Sequence, residues 1–373
     1  MIAEARFTAP QTVAVMVVGV IGVLIPGLQP QLLGALLAEA KLSTGALGLL
    51  ATAELLAMGI AAGTASLLLP VSRLRSIAAT ALIGVAALDL VTPHVSEGGL
   101  FAARIAAGFG EGVLIWIAIG LIVRAARPER WSGIYLALQT LAQLALATAL
   151  GLTIVPLFGS AGGFQLLALV TTLGVVALPW LPRAYDALDH GEAAGSALPA
   201  RGVVALCGVT LYLAFIVSVW VYVEPLGLQR GIDAATVHLI APLSLAMQVA
   251  GAAAAAALAG RLPAKAVVTA VTLVNLGLLA IMAAPPSAAA FVVATSIFGF
   301  LWLFAMPFQV PILIAADPSR RAAMLIGGAQ LTGSSLGPFA ASFLVGDHDV
   351  GPVIWFGAAC AIAGAAALRS MGK

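Results

Sequence analysis

The run from Arg104 to Gly112 reads Arg-Ile-Ala-Ala-Gly-Phe-Gly-Glu-Gly and sets an arginine and a glutamate seven residues apart. In a helix that is almost two turns. Both side chains then leave on nearly one face, about 10 Å apart along the axis, with Gly108 between them. The surrounding segment is long and apolar enough to cross a bilayer, where an ionised side chain costs roughly 2.5–3.5 kcal/mol on insertion scales. Glu54 is a second acid of this kind, about ten residues into another apolar run. Groups held at such cost mark ion or substrate paths, so Glu54, Glu111 and Arg104 are candidates for proton coupling. The competing expectation is a buried ion pair that locks one helix to its neighbour.

Other charges read differently. Asp89, three residues before Thr92-Pro93, is expected to be an interfacial acid reaching headgroup water, and Glu224 resembles it at the end of another run. His238 reads as a hydrogen-bonded histidine near an interface. The second half of the chain has no acid or base deep in any apolar run. It offers neutral groups instead: Tyr212, Trp220, Gln248, Asn275, Trp302, Gln309, Gln330 and Ser334. The first half adds Gln29, Gln31, Gln139 and Gln143. An amide inside a membrane must be satisfied by another helix or by a solute. As a group these residues suggest a moderately polar substrate cavity, with charge coupling assigned to the first half and neutral contacts to the second.

The elements that must position these residues are helices. The 373 residues are 62% hydrophobic and 9% charged, against about 25% charged in a soluble domain. That excludes a soluble globular protein, and a net charge of +2 with no basic face gives no reason to expect nucleic acid. Cys207 and Cys360 lie in apolar runs and make no metal motif. Twelve apolar segments of membrane-spanning length fall near 12–38, 44–69, 76–93, 99–124, 132–157, 163–182, 202–226, 235–259, 266–284, 287–314, 321–345 and 352–369. The first is too long, and its flank too mixed in charge, for a signal peptide. Pro26 and Pro30 in the first segment, and Pro307 and Pro311 in the tenth, predict kinks.

With the N-terminus inside, fourteen of the seventeen basic residues fall in inside connections, and only Lys41 and Arg230 fall outside. This asymmetry predicts twelve crossings with both ends cytoplasmic. The chain also repeats at an offset of about 188–191 residues. Gly63 and Arg73-Leu74 match Gly251 and Arg261-Leu262, and Arg130 with Gln139 matches Arg321 with Gln330. The expected domains are therefore two six-helix bundles, 1–182 and 202–373, with a cytoplasmic linker over 183–201. Parallel six-helix repeats are a transporter architecture.

On these grounds the chain resembles the major facilitator superfamily. The resemblance rests on Arg104 with Gly108-Phe109-Gly110-Glu111-Gly112, on the basic turns at Arg73 and Arg261, and on Gly333-Ser334-Ser335-Leu336-Gly337-Pro338. The family's loop signature carries an acid before its basic residue, but Ser72 and Gly260 stand there in this chain. Arg73 and Arg261 are accordingly candidate gating-loop residues without the usual acidic latch. A Gly-Pro motif of drug antiporters is also missing from the fifth segment. The resemblance implies an all-α polytopic fold of two pseudo-symmetric bundles. It implies a monomeric secondary transporter in the inner membrane, moving a small organic solute by alternating access.

Proton coupling is expected, since no phosphate-binding Gly-rich loop is present to use a nucleotide, and no cofactor is expected. The solute expected is an organic anion or amphipathic metabolite. A proton-driven exporter of lipophilic compounds is the alternative, followed by a non-transporting sensor on the same fold. No residue set for an enzyme appears.

Overall fold

The computed structural model describes residues 7–42, 44–186, 198–233, 236, 240–284, 287–345 and 349–370. Nearly all of them are helical. The first crossing, α1, is broken: Ala9–Ile21 starts in a capping box in which Thr8 and Gln11 bond each other's backbone, and Ile25–Ala38 follows a short turn. The break precedes Pro26, which sits in the first turn of the second piece. There its missing N–H costs no helical bond. The following helices are α2 (Thr44–Leu68), α3 (Leu74–Val91), α4 (Glu97–Ile122), α5 (Pro128–Ala149) and α6 (Val155–Leu173). They continue as α7 (Ala200–Gln229), α8 (Ile240–Leu258), α9 (Ala264–Ala283), α10 (Ala288–Ala316), α11 (Ile326–Ser342) and α12 (Pro352–Arg369).

Among the described residues, nine stretches are long and apolar enough to span a membrane. One of them, Pro128–Trp180, contains two of the expected crossings. These join through a π-turn at Leu150–Ile154 and part at Gly159, whose φ of 63° only glycine adopts without strain. The last turn before Gly159 leaves α6 to restart at Ser160. Glu39, just past α1, accepts the Ser160 N–H at 2.6 Å and its hydroxyl at 2.5 Å, and pairs with Lys41 at 2.7 Å. Partial burial works against the Glu39 carboxylate, but the bonds from Lys41 and Ser160 and the Lys41 charge outweigh it and hold its pKa at about 2.

Contacts divide the chain into two units. The first comprises Met1–Ala125 and Leu138–Asp189, the second Ala126–Ala137 and His190–Lys373. The start of α5 goes with the second unit because Gly133 lies against Ala252 and Ala256 of α8, closer than any larger residue would allow. Of the expected linker, residues 187–197 lie outside the described residues. Its beginning is tied to the first unit: Leu74 donates to the Arg183 carbonyl and the Tyr185 hydroxyl to the Ile117 carbonyl, and Arg124 lies over the Tyr185 ring. Burial pushes the Tyr185 hydroxyl pKa well above its usual range, against the lowering effect of the Arg124 charge.

In the first unit α4 packs on α1, α2 and α3. The approach to α2 is set by glycine. A Cβ on Gly108 would press on the Glu54 carbonyl oxygen, and one on Gly112 would collide with the Met58 carbonyl oxygen. Small residues at a four-residue spacing let helix backbones approach in lipid. Here they bring Glu54 and the α4 charges within bonding reach. Replacing Gly112 by Val should therefore separate α2 from α4, cost about 1–3 kcal/mol or more by overpacking, and appear as a lower melting midpoint of the purified protein. An unchanged midpoint would show that this contact is looser than described. The core of the second unit is mainly aliphatic and contains an aromatic group in which Phe215 stands edge-on to both Tyr212 and Phe298.

Candidate functional site

Arg104 is completely buried in the first unit, and its guanidinium is the hub of three carboxylates from three helices. Nε donates to Glu54 Oε1 of α2 at 2.7 Å, and Nη2 donates to the same oxygen. Nη1 donates to Asp89 Oδ1 of α3 at 2.6 Å. Nη2 also reaches Glu111 Oε1, on its own helix, at 3.3 Å. Gln29 of α1 donates to the other Glu54 oxygen at 3.2 Å and lies 3.4 Å from the Ala51 carbonyl. Phe164 of α6 closes the site, with the guanidinium 5.4 Å from its ring centroid.

The three expected coupling residues are thus brought together, and Asp89 joins them. The expectation of an interfacial Asp89 in headgroup water is overturned, since its side chain is fully buried and ion-paired. The reason is hairpin geometry. Asp89 lies seven residues before Ser96 and Arg104 seven after Glu97, and Ser96 is the cap at which α4 begins. Antiparallel helices leaving one turn put residues equidistant from it at one depth.

The carboxylates are not equivalent. Both oxygens of Glu54 are engaged. Asp89 Oδ2 and Glu111 Oε2 are buried and have no hydrogen-bond partner. Three carboxylates around one guanidinium would leave two uncompensated negative charges in a dry interior, at a cost of several kcal/mol per ion. Asp89 Oδ2 and Glu111 Oε2 are thus the two carboxyl oxygens of the hub that no donor reaches. The guanidinium fills the space between the acids that a metal cation would need.

The expected cavity residues separate into groups. Gln143 of α5 donates to the Val23 carbonyl at 2.6 Å, satisfying the break in α1, so its amide N–H serves the helix and not a solute. The Tyr212 hydroxyl lies 3.4 Å from the Leu301 carbonyl of α10, inside the second core. Ser334 bonds the Gln330 carbonyl one turn back at 2.9 Å. Gln139 and Gln330 are half-buried. Gln248 Nε2, Trp302 Nε1 and both amide atoms of Gln309 are buried without a partner, as are both amide atoms of Asn275. Trp220 and Trp302 meet edge to face, 6.0 Å between centroids. Trp302 and Gln309, seven residues apart on α10, share one face. Arg73 and Arg261 are exposed at the ends of loops. His238 lies outside the described residues, as does the side chain of Glu224.

Among the described residues the second unit has no matching hub. Gly299, 188 residues after Glu111, packs against the Ser244 backbone, and Ser244 bonds the Thr295 carbonyl at 3.0 Å. The second unit uses close backbone packing where the first uses charge.

No family model matches the chain, and no curated protein matches it. Solved structures do. The major facilitator superfamily transporter FucP, also described as the E. coli fucose:proton symporter, matches at a TM-score of 0.77 and 14% identity over 98% of both chains. The proton:xylose symporter XylE, solved with 6-bromo-6-deoxy-D-glucose, matches at 0.71 and 13% identity over 97% of this chain and 94% of that one. At this identity the likeness is one of fold: an all-α polytopic membrane protein with the major facilitator fold.

Proposed function

We propose that the chain is a secondary active transporter that couples protons to the movement of a small, uncharged, hydrogen-bonding organic solute. The observation that carries this reading is the Arg104 hub, one guanidinium facing three carboxylates of which two keep an unpartnered oxygen. A purely structural ion pair needs one acid. The two further acids add burial cost without adding compensation, which fits groups that must gain and lose protons. The proton-coupled solutes of FucP and XylE, by their names, give the same direction.

The solute reading departs from an organic anion. Nε, Nη1 and Nη2 of Arg104 each already serve a carboxylate, so the guanidinium charge is already met within the protein. The unpartnered groups of the second unit are neutral: the Gln248 and Gln309 amides and the Trp302 indole N–H. Buried polar groups of this kind call for a partner, and a polyhydroxylated solute supplies donors and acceptors together. The Trp220–Trp302 pair adds an apolar ring surface for a sugar-like face. Alternating access then carries solute and protons in one cycle, inward or outward.

The test uses purified full-length protein. Sugars and polyols are screened by thermal shift, because a ligand of the folded state raises the melting midpoint. Hits are assayed in liposomes with an imposed pH gradient. The expected result is accumulation of an uncharged solute that collapses when the gradient is dissipated, with matching proton movement. Accumulation of anions only, or exchange indifferent to the gradient, would overturn the proposal.

A further inference from the structure

Away from the hub, the outer side of the first unit carries an open groove of about 550 Å³ between α3 and α4. Its floor on α3 is a stripe at four-residue spacing, Ser76, Thr80, Gly84 and Leu88, facing Phe109 of α4. The stripe runs about 18 Å, close to the depth of one leaflet of a hydrocarbon core about 30 Å thick. Polarity changes along it. Arg73 and the Ser76 and Thr80 hydroxyls stand at one end, and only apolar or small residues follow. Arg73 is exposed, and no acid lines the groove. A Cβ on Gly84 would meet nothing within 4 Å, so the groove is open space and not helix packing.

We infer that this groove is a binding site for an anionic phospholipid, with the phosphate on Arg73 and one acyl chain lying along α3 past Gly84. The charge of the head and the length and dryness of the tail path fit that amphiphile together. A cationic side chain at a membrane surface attracts acidic headgroups, and the groove gives the attraction a fixed address. A lipid held there lies against Phe109 and Gly110 of α4, one and two residues from Gly108 and Glu111, so its presence bears directly on the helix that carries Arg104.

The full chain is extracted from vesicles holding equal amounts of phosphatidylglycerol and phosphatidylcholine, and retained lipids are counted by native mass spectrometry. The wild type should keep phosphatidylglycerol over phosphatidylcholine by roughly fivefold, the effect of one basic side chain beside acidic headgroups. Arg73→Gln should remove that preference, and Arg73→Lys should keep most of it. Gly84→Leu should reduce retention of both lipids, because its side chain fills the tail path. Thr80→Leu, at an exposed position, gives a second obstruction should Gly84→Leu fail a melting check. Equal retention of the two lipids by the wild type, or a preference that survives Arg73→Gln, overturns the headgroup site. Unchanged retention in the folded obstructed variants overturns the groove.

Discussion

Arg104→Gln should be the most damaging single substitution in the chain. It removes the guanidinium's bonds to Glu54, Asp89 and Glu111 at once and leaves Phe164 facing a neutral amide. Breaking a buried ion pair by deleting one partner costs about 3–5 kcal/mol, because the other charge remains buried without compensation. Three acids lose their partner here. The expected outcome is a protein that accumulates poorly in the membrane and melts far below the wild type in detergent. Arg104→Lys should not restore it. An ammonium is a point charge, whereas the guanidinium fork reaches α2, α3 and α4 in fixed directions. The double variant Arg104→Gln/Glu54→Gln should recover part of the loss, since the carboxylate most fully engaged by Arg104 is then gone. A cycle of the two single variants and the double measures that coupling. If Arg104→Gln melts within a degree of the wild type, the hub is not what ties the three helices together.

How far this hub was legible in the sequence depends on which link is asked about. The Arg104–Glu111 pair followed from helical periodicity alone, and the twelve helical segments followed from apolar length. Glu54 could be selected because a deep acid is rare, but nothing in its own segment says that it meets Arg104. That contact is made by α2 against α4, through Gly108 and Gly112. Asp89 reads as interfacial because a proline four residues on, Pro93, signals a helix end, and helix ends usually touch water. Counting residues on either side of the Ser96 turn would have placed it level with Arg104. Phe164 carried no signal, since an aromatic in an apolar run is ordinary. The glutamines divided on packing details that no spacing encodes. Gln143 faces the α1 break, whereas Gln309 faces nothing that satisfies it. The boundary within α5 has the same origin, because it is set by what Gly133 touches and not by the segment that contains it.

Glu111→Gln and Asp89→Asn should each abolish gradient-driven accumulation while leaving exchange of solute across the membrane intact. Both residues keep one oxygen on Arg104 and one unpartnered, so an amide can hold the Arg104 contact through its carbonyl but can carry no proton. Removing a coupling proton removes the thermodynamic drive and not the pathway, so accumulation should fall at least tenfold, equivalent to about 1.4 kcal/mol of lost drive, with counterflow near the wild-type rate. Glu54→Gln should behave otherwise. Glu54 accepts from Arg104 on one oxygen and from Gln29 on the other, which makes it the permanent counter-ion of the hub. Its neutral variant should lower the melting midpoint and the amount of folded transporter, with coupling per folded molecule retained. The assignment of roles rests on this contrast, read as accumulation against counterflow in the same liposomes. If Glu54→Gln uncouples a fully stable protein while Asp89→Asn accumulates solute normally, the protons sit on Glu54 and Glu111, and Asp89 is only a strut. If both Asp89→Asn and Glu111→Gln uncouple, two protons move per cycle. Neither variant should then show proton flux accompanying solute exchange, a loss that removal of a passive structural pair would not cause.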